Sequence, residues 1–135
     1  MDGTVVGAIG RGLVVLLAVG RNDCEKDADY LAEKIARLRI FPDRSDRMNV
    51  CAADCSASVL VVSQFTLYGD CRKGRRPSFD QAAPPGAASR LYEYFISQLQ
   101  ARGLETQAGV FQAAMQVYLV NDGPVTLILD SSRTF

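Results

Sequence analysis

The chain has 135 residues, 48% of them apolar and 22% charged, with basic and acidic side chains balancing at a formal net charge of zero. This composition excludes disorder and allows one domain with one real core, burying roughly two-thirds of the unfolded surface. The charge balance excludes nucleic-acid binding by the field of the whole molecule, so any such affinity must come from a local patch.

In chain order, Thr4 to Ile9 and Leu13 to Val19 are predicted strands joined by Gly10-Arg11-Gly12, where glycines supply positive φ in a tight link. The second run is apolar at every position, which predicts a central strand buried on both faces. It is too short to cross a bilayer, which takes about 20 residues. Asn22 or Asp23 then offers an N-cap, and Ala28, Leu31, Ala32, Ile35 and Leu38 recur at helical spacing, so a first amphipathic helix is expected, stopped by Pro42. Asp43 to Asp46 form a polar turn before the chain returns through Met48-Asn49-Val50.

Ser58 to Tyr68 reads as one long strand in which the apolar Leu60-Val61-Val62 passes without a break into Ser63, Gln64 and Thr66. Polar groups at the end of a rigid element are well placed to meet a ligand in fixed geometry. The loop Gly69 to Pro77 follows, with Arg72, Lys73, Arg75 and Arg76 crowded together. Such a loop suits phosphate, and taken alone it is equally well read as merely solvated.

After the break at Pro84-Pro85-Gly86, a second helix is predicted from about Ala87 to Arg102, with Ala88, Leu91, Phe95 and Leu99 on one side and Gly103 as its C′ residue. Leu104 to Ala108 is an expected edge strand. Met115, Val117 and Leu119 alternate with Gln116 and Tyr118, predicting a half-buried antiparallel strand over Ala114 to Val120. Asn121-Asp122-Gly123-Pro124 separates it from Val125 to Leu129, and the pair is expected to form a hairpin. Strands outnumber helices, which argues for a mainly antiparallel α+β domain.

Cys24, Cys51, Cys55 and Cys71 are irregularly spaced behind no secretory leader, so reduced thiols in a cytosolic protein are expected. Only Cys51 and Cys55 lie close together and the chain has no histidine, so no zinc site is expected. The missing histidine also removes Ser-His and Cys-His nucleophile pairs, and no glycine pattern matches a nucleotide-binding loop. Ser63 and Thr66 lack a partner base within the motif, and hydroxyls satisfied by neighbouring backbone explain either residue as well. Cys71 beside Arg72 and Lys73 is read as an incidental exposed thiol. Gly123-Pro124, on its own, defaults to a trans turn, since only about one X-Pro bond in twenty is cis.

The stretch Ser63-Gln64-Phe65-Thr66-Leu67, followed by Gly69-Asp70 and Arg76-Pro77-Ser78-Phe79, resembles the first signature of the D-aminoacyl-tRNA deacylases. Asn121-Asp122-Gly123-Pro124-Val125-Thr126 resembles their second. Leu38-Arg39-Ile40-Phe41, Met48-Asn49 and Phe111 to Val120 are also similar to that family, so the likeness covers nearly the whole chain. It implies an α+β domain of mainly antiparallel sheets closing into a barrel-like body with two amphipathic helices, the family's first strand, with its Gln-Arg-Val step, being missing here. That strand is expected upstream of Met1. Gln112 is a second departure, standing where a small residue is usual.

The resemblance further implies a cytoplasmic, homodimeric hydrolase without cofactor or metal. Its substrates would be D-aminoacyl-tRNA and glycyl-tRNA, cleaved at the ester to the 3′-terminal adenosine as chiral proofreading. Ser63, Gln64, Phe65 and Thr66 would line one wall, with N–H groups near Phe65 and Thr66 binding the ester carbonyl and Thr66 in a positioning role. The substrate's own ribose 2′-hydroxyl would assist the attack. Asn121, Gly123 and Pro124 would reach the partner subunit's pocket, where a cis Gly123-Pro124 peptide holds the α-amino group and an L side chain collides with backbone. Phe111, Ala113 and Met115 would pack around the terminal adenine, and Arg72, Lys73, Arg75 and Arg76 would meet acceptor-end phosphates. The rival expectation is a catalytically impaired RNA-binding or dimerisation module lacking the N-terminal strand.

Overall fold

The computed structural model describes residues 3–123 and 125–134. Its centre is a parallel sheet of three strands in the order β1-β4-β5, formed by β1 (Gly12–Leu17), β4 (Ser58–Ser63) and β5 (Thr106–Ala108). Leu17 pairs with Ser63 and Val61 with Ala108, so both ladders on β4 have ended by Ser63. Helix α1 (Glu25–Arg37) lies in the first crossover, α2 (Pro85–Ala101) in the second, and β2 (Phe41–Pro42) and β3 (Met48–Val50) make a small antiparallel pair.

The predicted strand at residues 4–9 and its hairpin are absent: β1 takes its ladder from β4 in parallel. Neither Gly10 nor Gly12 adopts positive φ, so no tight reversal closes. Gly12 instead lets the backbones meet, because a Cβ there would overlap the Ser58 carbonyl. The domain is α+β as expected, but its main sheet is parallel, and among the described residues no sheet closes into a barrel.

Both helices cover one face of the sheet. Ala28, Ala32, Ile35 and Ala36 of α1 and Tyr92, Phe95 and Leu99 of α2 close over Val59 and Val61, with Leu13, Val15 and Leu17 packed alongside. The opposite face is open enough to leave Leu16 46% exposed, so β1 is not buried on both faces as its sequence suggested. An unbroken apolar run says that burial is available, not what provides it. The helices meet along a seam where Arg90 Nη1 donates to Glu25 (2.6 Å), Tyr94 Oη to Asp29 (2.7 Å) and Arg102 Nε to Glu33 (2.8 Å).

Helix α1 starts later than predicted, with Cys24 as N-cap, because Asp23 is engaged elsewhere: its carboxylate accepts the Gly20 N–H at 2.7 Å. Asp27 accepts the Cys24 N–H at 2.8 Å, the backward half of a capping box. The helix ends at Arg37, before Pro42, which lies in β2. The polar turn at Asp43 to Asp46 is present, closed by Asp43 N–H to the Arg47 carbonyl and Ser45 N–H to the Asp43 carboxylate (both 2.8 Å). Helix α2 follows its prediction closely, with Pro85 at its first turn, where a missing N–H costs nothing, and Gly103 beyond its end at φ +83°.

Neither Ala114 to Val120 nor Val125 to Leu129 forms a strand, and the expected hairpin is not made by the described residues. Tyr118 is 83% and Val120 90% exposed. A two-stranded ribbon without a packed face is marginal in water, and the helix-covered side of the sheet is already occupied. The four cysteines are free thiols, Cys51 buried and Cys24 and Cys71 exposed. Among the described residues no helix is long and apolar enough to cross a membrane.

Candidate active site

Strand β4 delivers its polar end to a turn rather than continuing to Tyr68. Gln64 N–H makes the last bond to β1, donating to the Leu17 carbonyl at 2.7 Å. With both neighbouring strands ended, residues Phe65–Tyr68 wind into a 3₁₀ turn closed by Leu67 N–H to Gln64 O (3.2 Å), and Gly69 N–H bonds to Thr66 O (2.9 Å). The leading N–H groups of the turn, on Phe65 and Thr66, donate to no acceptor among the described residues. Gln64 Nε2 donates to Thr66 Oγ1 at 2.5 Å, tying both side chains together at the mouth of the turn. No carboxylate or amine hydrogen-bonds to Ser63 or Thr66 among the described residues, so neither hydroxyl has a base beside it. The sequence-predicted wall Ser63, Gln64, Phe65 and Thr66 is therefore brought together, with Phe65 and Thr66 exposed.

Phe65 packs edge-on against Phe79, with ring centroids 5.1 Å apart. Phe79 had no role assigned from sequence, although it ends the stretch Arg76-Pro77-Ser78-Phe79; only the fold shows the two rings meeting. The loop between them is clamped at its base by the reciprocal pair Asp70 N–H to Ser78 O (2.7 Å) and Ser78 N–H to Asp70 O (2.9 Å). Asp70 also accepts Arg72 Nε at 2.9 Å and Nη2 at 2.6 Å. The Arg72 guanidinium, helped by the Arg72 backbone N–H, holds the Asp70 carboxyl down to about 2. Arg72 is thereby occupied, whereas the exposed side chains of Lys73, Arg75 and Arg76 have no ion-pair partner among the described residues. The four cations expected to act alike divide into one partnered and three open.

Phe111 is half-buried, its ring 5.8 Å from that of Tyr92, whose hydroxyl donates to the Val61 carbonyl at 3.1 Å. Ala113 N–H closes a turn on Val110 O (3.2 Å), and Met115 Sδ accepts the Val110 N–H at 3.4 Å. Gln112 occupies this turn exposed, with φ +64°. These residues cluster at the exit of β5, tied to β4 by Gly109 N–H to Val61 O (3.1 Å). Asn121 Nδ2 donates to Thr126 Oγ1 at 3.0 Å and Gly123 is exposed with φ +130°. No hydrogen bond or ring contact among the described residues joins Asn121 or Gly123 to Gln64–Thr66 of the same chain. Pro124, and with it the expected cis peptide, lies outside the described residues.

The model of the family described as D-Tyr-tRNA(Tyr) deacylase matches residues 1–130. A D-aminoacyl-tRNA deacylase of Koribacter versatilis is 60% identical over 135 residues, covering all of this chain and 91% of that protein. One of Anaeromyxobacter dehalogenans is 58% identical with the same coverage. Among solved structures, a c-Myc DNA unwinding element binding protein superposes with a TM-score of 0.81 at 39% identity, over 88% of this chain and 81% of that one. A probable eukaryotic D-amino acid tRNA deacylase, 18% identical over 78% of this chain and 77% of that one, superposes at 0.62 and shares the fold. By its sequence along nearly its whole length, this chain belongs to the D-Tyr-tRNA(Tyr) deacylase family.

Proposed function

We propose that the protein is a homodimeric D-aminoacyl-tRNA deacylase. It hydrolyses the ester between a D-amino acid, or glycine, and the 3′-terminal adenosine of tRNA. The observation that carries this reading is the turn at the end of β4. Phe65 and Thr66 N–H groups lead it with no acceptor among the described residues, within a chain 60% identical to a named deacylase. Adjacent N–H donors on a rigid strand end suit an ester carbonyl oxygen that becomes negative as it is attacked. With no base beside Ser63 or Thr66 among the described residues, water is the nucleophile, its attack assisted by the ribose 2′-hydroxyl. The acyl C–O bond breaks, and the proton passes to the departing 3′-oxygen. No acyl-enzyme forms, and no cofactor or metal is used.

Dimerisation is supported by the exposed apolar stretch Val117 to Val120 and Val125 to Leu129. A partner bound there brings the Asn121–Pro124 loop to the other subunit's pocket, whose backbone rejects an L side chain. Lys73, Arg75 and Arg76 meet acceptor-end phosphates, with Arg72 joining once released from Asp70. Phe111, Ala113 and Met115 pack against the terminal adenine. Cytoplasmic localisation follows from the tRNA substrate. A second reading, a nucleic-acid-binding module without turnover, is favoured by the DNA-binding name of the relative at 39% identity. Purified protein given tRNA charged with D- or L-tyrosine separates them. The deacylase releases D-tyrosine roughly a hundredfold faster than L-tyrosine, whereas binding of both without release establishes the second reading.

A further inference from the structure

The 3₁₀ turn is held from two sides. On one side Phe79 packs against Phe65. On the other, Tyr68, the last residue of the turn, lays its side chain on the backbone of Gly20, so closely that a Cβ there would lie 2.6 Å from the hydroxyl oxygen and 3.0 Å from Cζ. Gly20 is buried, and its own position is fixed: its N–H donates to the Asp23 carboxylate at 2.7 Å and its carbonyl accepts the Asp23 N–H at 3.2 Å.

The two supports are joined behind the turn. Arg21 N–H donates to Gln81 O (3.0 Å), Ala83 N–H to Val19 O (2.9 Å), and Gly20 bridges Ala82. The segment carrying Phe79 is thus tied to the segment carrying Gly20, and the turn is clasped between them. Burial, with Asp23, Asp130 and Asp27 nearby, pushes the Tyr68 hydroxyl up, so it stays neutral in its seat.

We propose that Gly20 and Tyr68 are positioning residues for deacylation: Tyr68, seated on a backbone bare of a side chain, sets where the Phe65 and Thr66 N–H groups point. This rests on reading the turn as the ester site. An error of about 1 Å in such groups costs on the order of a hundredfold in rate, which gives the effect its scale. Because Tyr68 acts through the turn and does not touch tRNA, it affects kcat and leaves KM almost unchanged.

The test is steady-state deacylation of D-tyrosyl-tRNA by the full chain, with thermal unfolding followed in parallel. Gly20→Ala is expected to lower kcat at least about tenfold with KM within about twofold. Tyr68→Phe alone keeps the ring in place and stays within about threefold of the parent, and Gly20→Ala/Tyr68→Phe recovers part of the loss by removing the nearer of the two crowded atoms. Tyr68→Ala, which needs no new space, is expected to lower kcat as Gly20→Ala does, and decides the matter if Gly20→Ala does not fold. Unchanged kcat in Tyr68→Ala, or a Gly20→Ala/Tyr68→Ala double variant that loses as much as the two single losses multiplied, overturns the proposal. Thr66→Pro, which deletes one donor, separates the two levels. If it is inactive while Tyr68→Ala is fully active, only the positioning role fails; if Thr66→Pro is fully active, the ester-site reading falls and takes this proposal with it.

Discussion

Residues 12–108 and residues 110–134 have similar apolar patterning and opposite fates. In the first region Val59, Val61, Phe95 and Leu99 are almost wholly shielded; in the second, Tyr118, Leu119, Val120 and Ile128 each stand more than half exposed. The difference is the presence of a partner surface. Helices α1 and α2 close on β4 because crossovers return the chain to the same sheet face, whereas among the described residues nothing arrives to bury Val117 to Val120 or Val125 to Leu129. Apolar alternation specifies a face to be buried, and the rest of the assembly decides whether and by what.

The sharpest way to test that contrast is to truncate one apolar side chain in each region. Phe95→Ala, at a site 1% exposed, is expected to destabilise the protein by about 3–5 kcal/mol, since it leaves a cavity among Ala32, Tyr92 and Leu99. Val120→Ala, at a site 90% exposed, is expected to change the stability of the monomer by less than about 0.5 kcal/mol. Urea unfolding at low protein concentration reads both. Comparable losses would mean that the second region is packed in the monomer.

Charge placed in the second region is expected to act on association instead. Leu127→Asp with Ile128→Asp, both at exposed positions, should raise the dissociation constant of the proposed dimer by at least about tenfold, roughly 1.4 kcal/mol or more. Sedimentation velocity across a dilution series measures it. An unaltered dimer would remove residues 117–129 from the interface, and loss of deacylation in step with dimer loss would sharpen the case for a shared pocket.

The same contrast explains what could be read from sequence. Helices α1 and α2 were legible because their apolar faces repeat at a period that needs only a neighbour of some kind, and both found one in the other and in β4. The polar end of β4 at Ser63 to Thr66, the candidate site, was legible because an apolar run ends there in polar groups. The turn itself was not: Phe65 to Tyr68 alternates as a strand does, and only the ending of the β1 and β5 ladders makes it wind. Parallel pairing was hidden for the same reason, since a ladder's direction is set by the crossover and leaves no mark within β1. The N-cap was expected at Asn22 or Asp23, but the Asp23 carboxylate is taken by the Gly20 N–H, so the helix starts from Cys24 with Asp27 accepting the Cys24 N–H.

Within the packed region, the helix seam is expected to contribute far less than the core beneath it. The Arg102 side chain is only 21% exposed and meets both Glu33 and Gln98, so Arg102→Ala is expected to cost about 1 kcal/mol. Arg90→Ala, which breaks a more open pair with Glu25, should cost less than about 0.5 kcal/mol. Thermal unfolding at low and high salt checks the ranking. Equal costs would show that the seam is held by charge alone and not by the covered stem of Arg102.

The smallest effect belongs to the exposed loop, where the lock between Asp70 and Arg72 changes binding more than stability. The Asp70 carboxyl is depressed in the folded chain, so its contribution is present above the unfolded carboxyl's range and is lost as pH falls through about 2. Its resonance is expected to titrate with a midpoint of about 2, and Arg72→Gln to return it toward the ordinary carboxylate range. Freeing Arg72 is the complementary change. Asp70→Asn leaves four open cations in the loop where Lys73, Arg75 and Arg76 now stand, so tRNA binding should tighten slightly at low salt. The slope of log affinity against log salt should steepen by about 0.7 to 0.9, the share of one added phosphate contact. An unchanged slope would mean that Arg72 already leaves Asp70 when RNA arrives, making the lock a feature of the free protein.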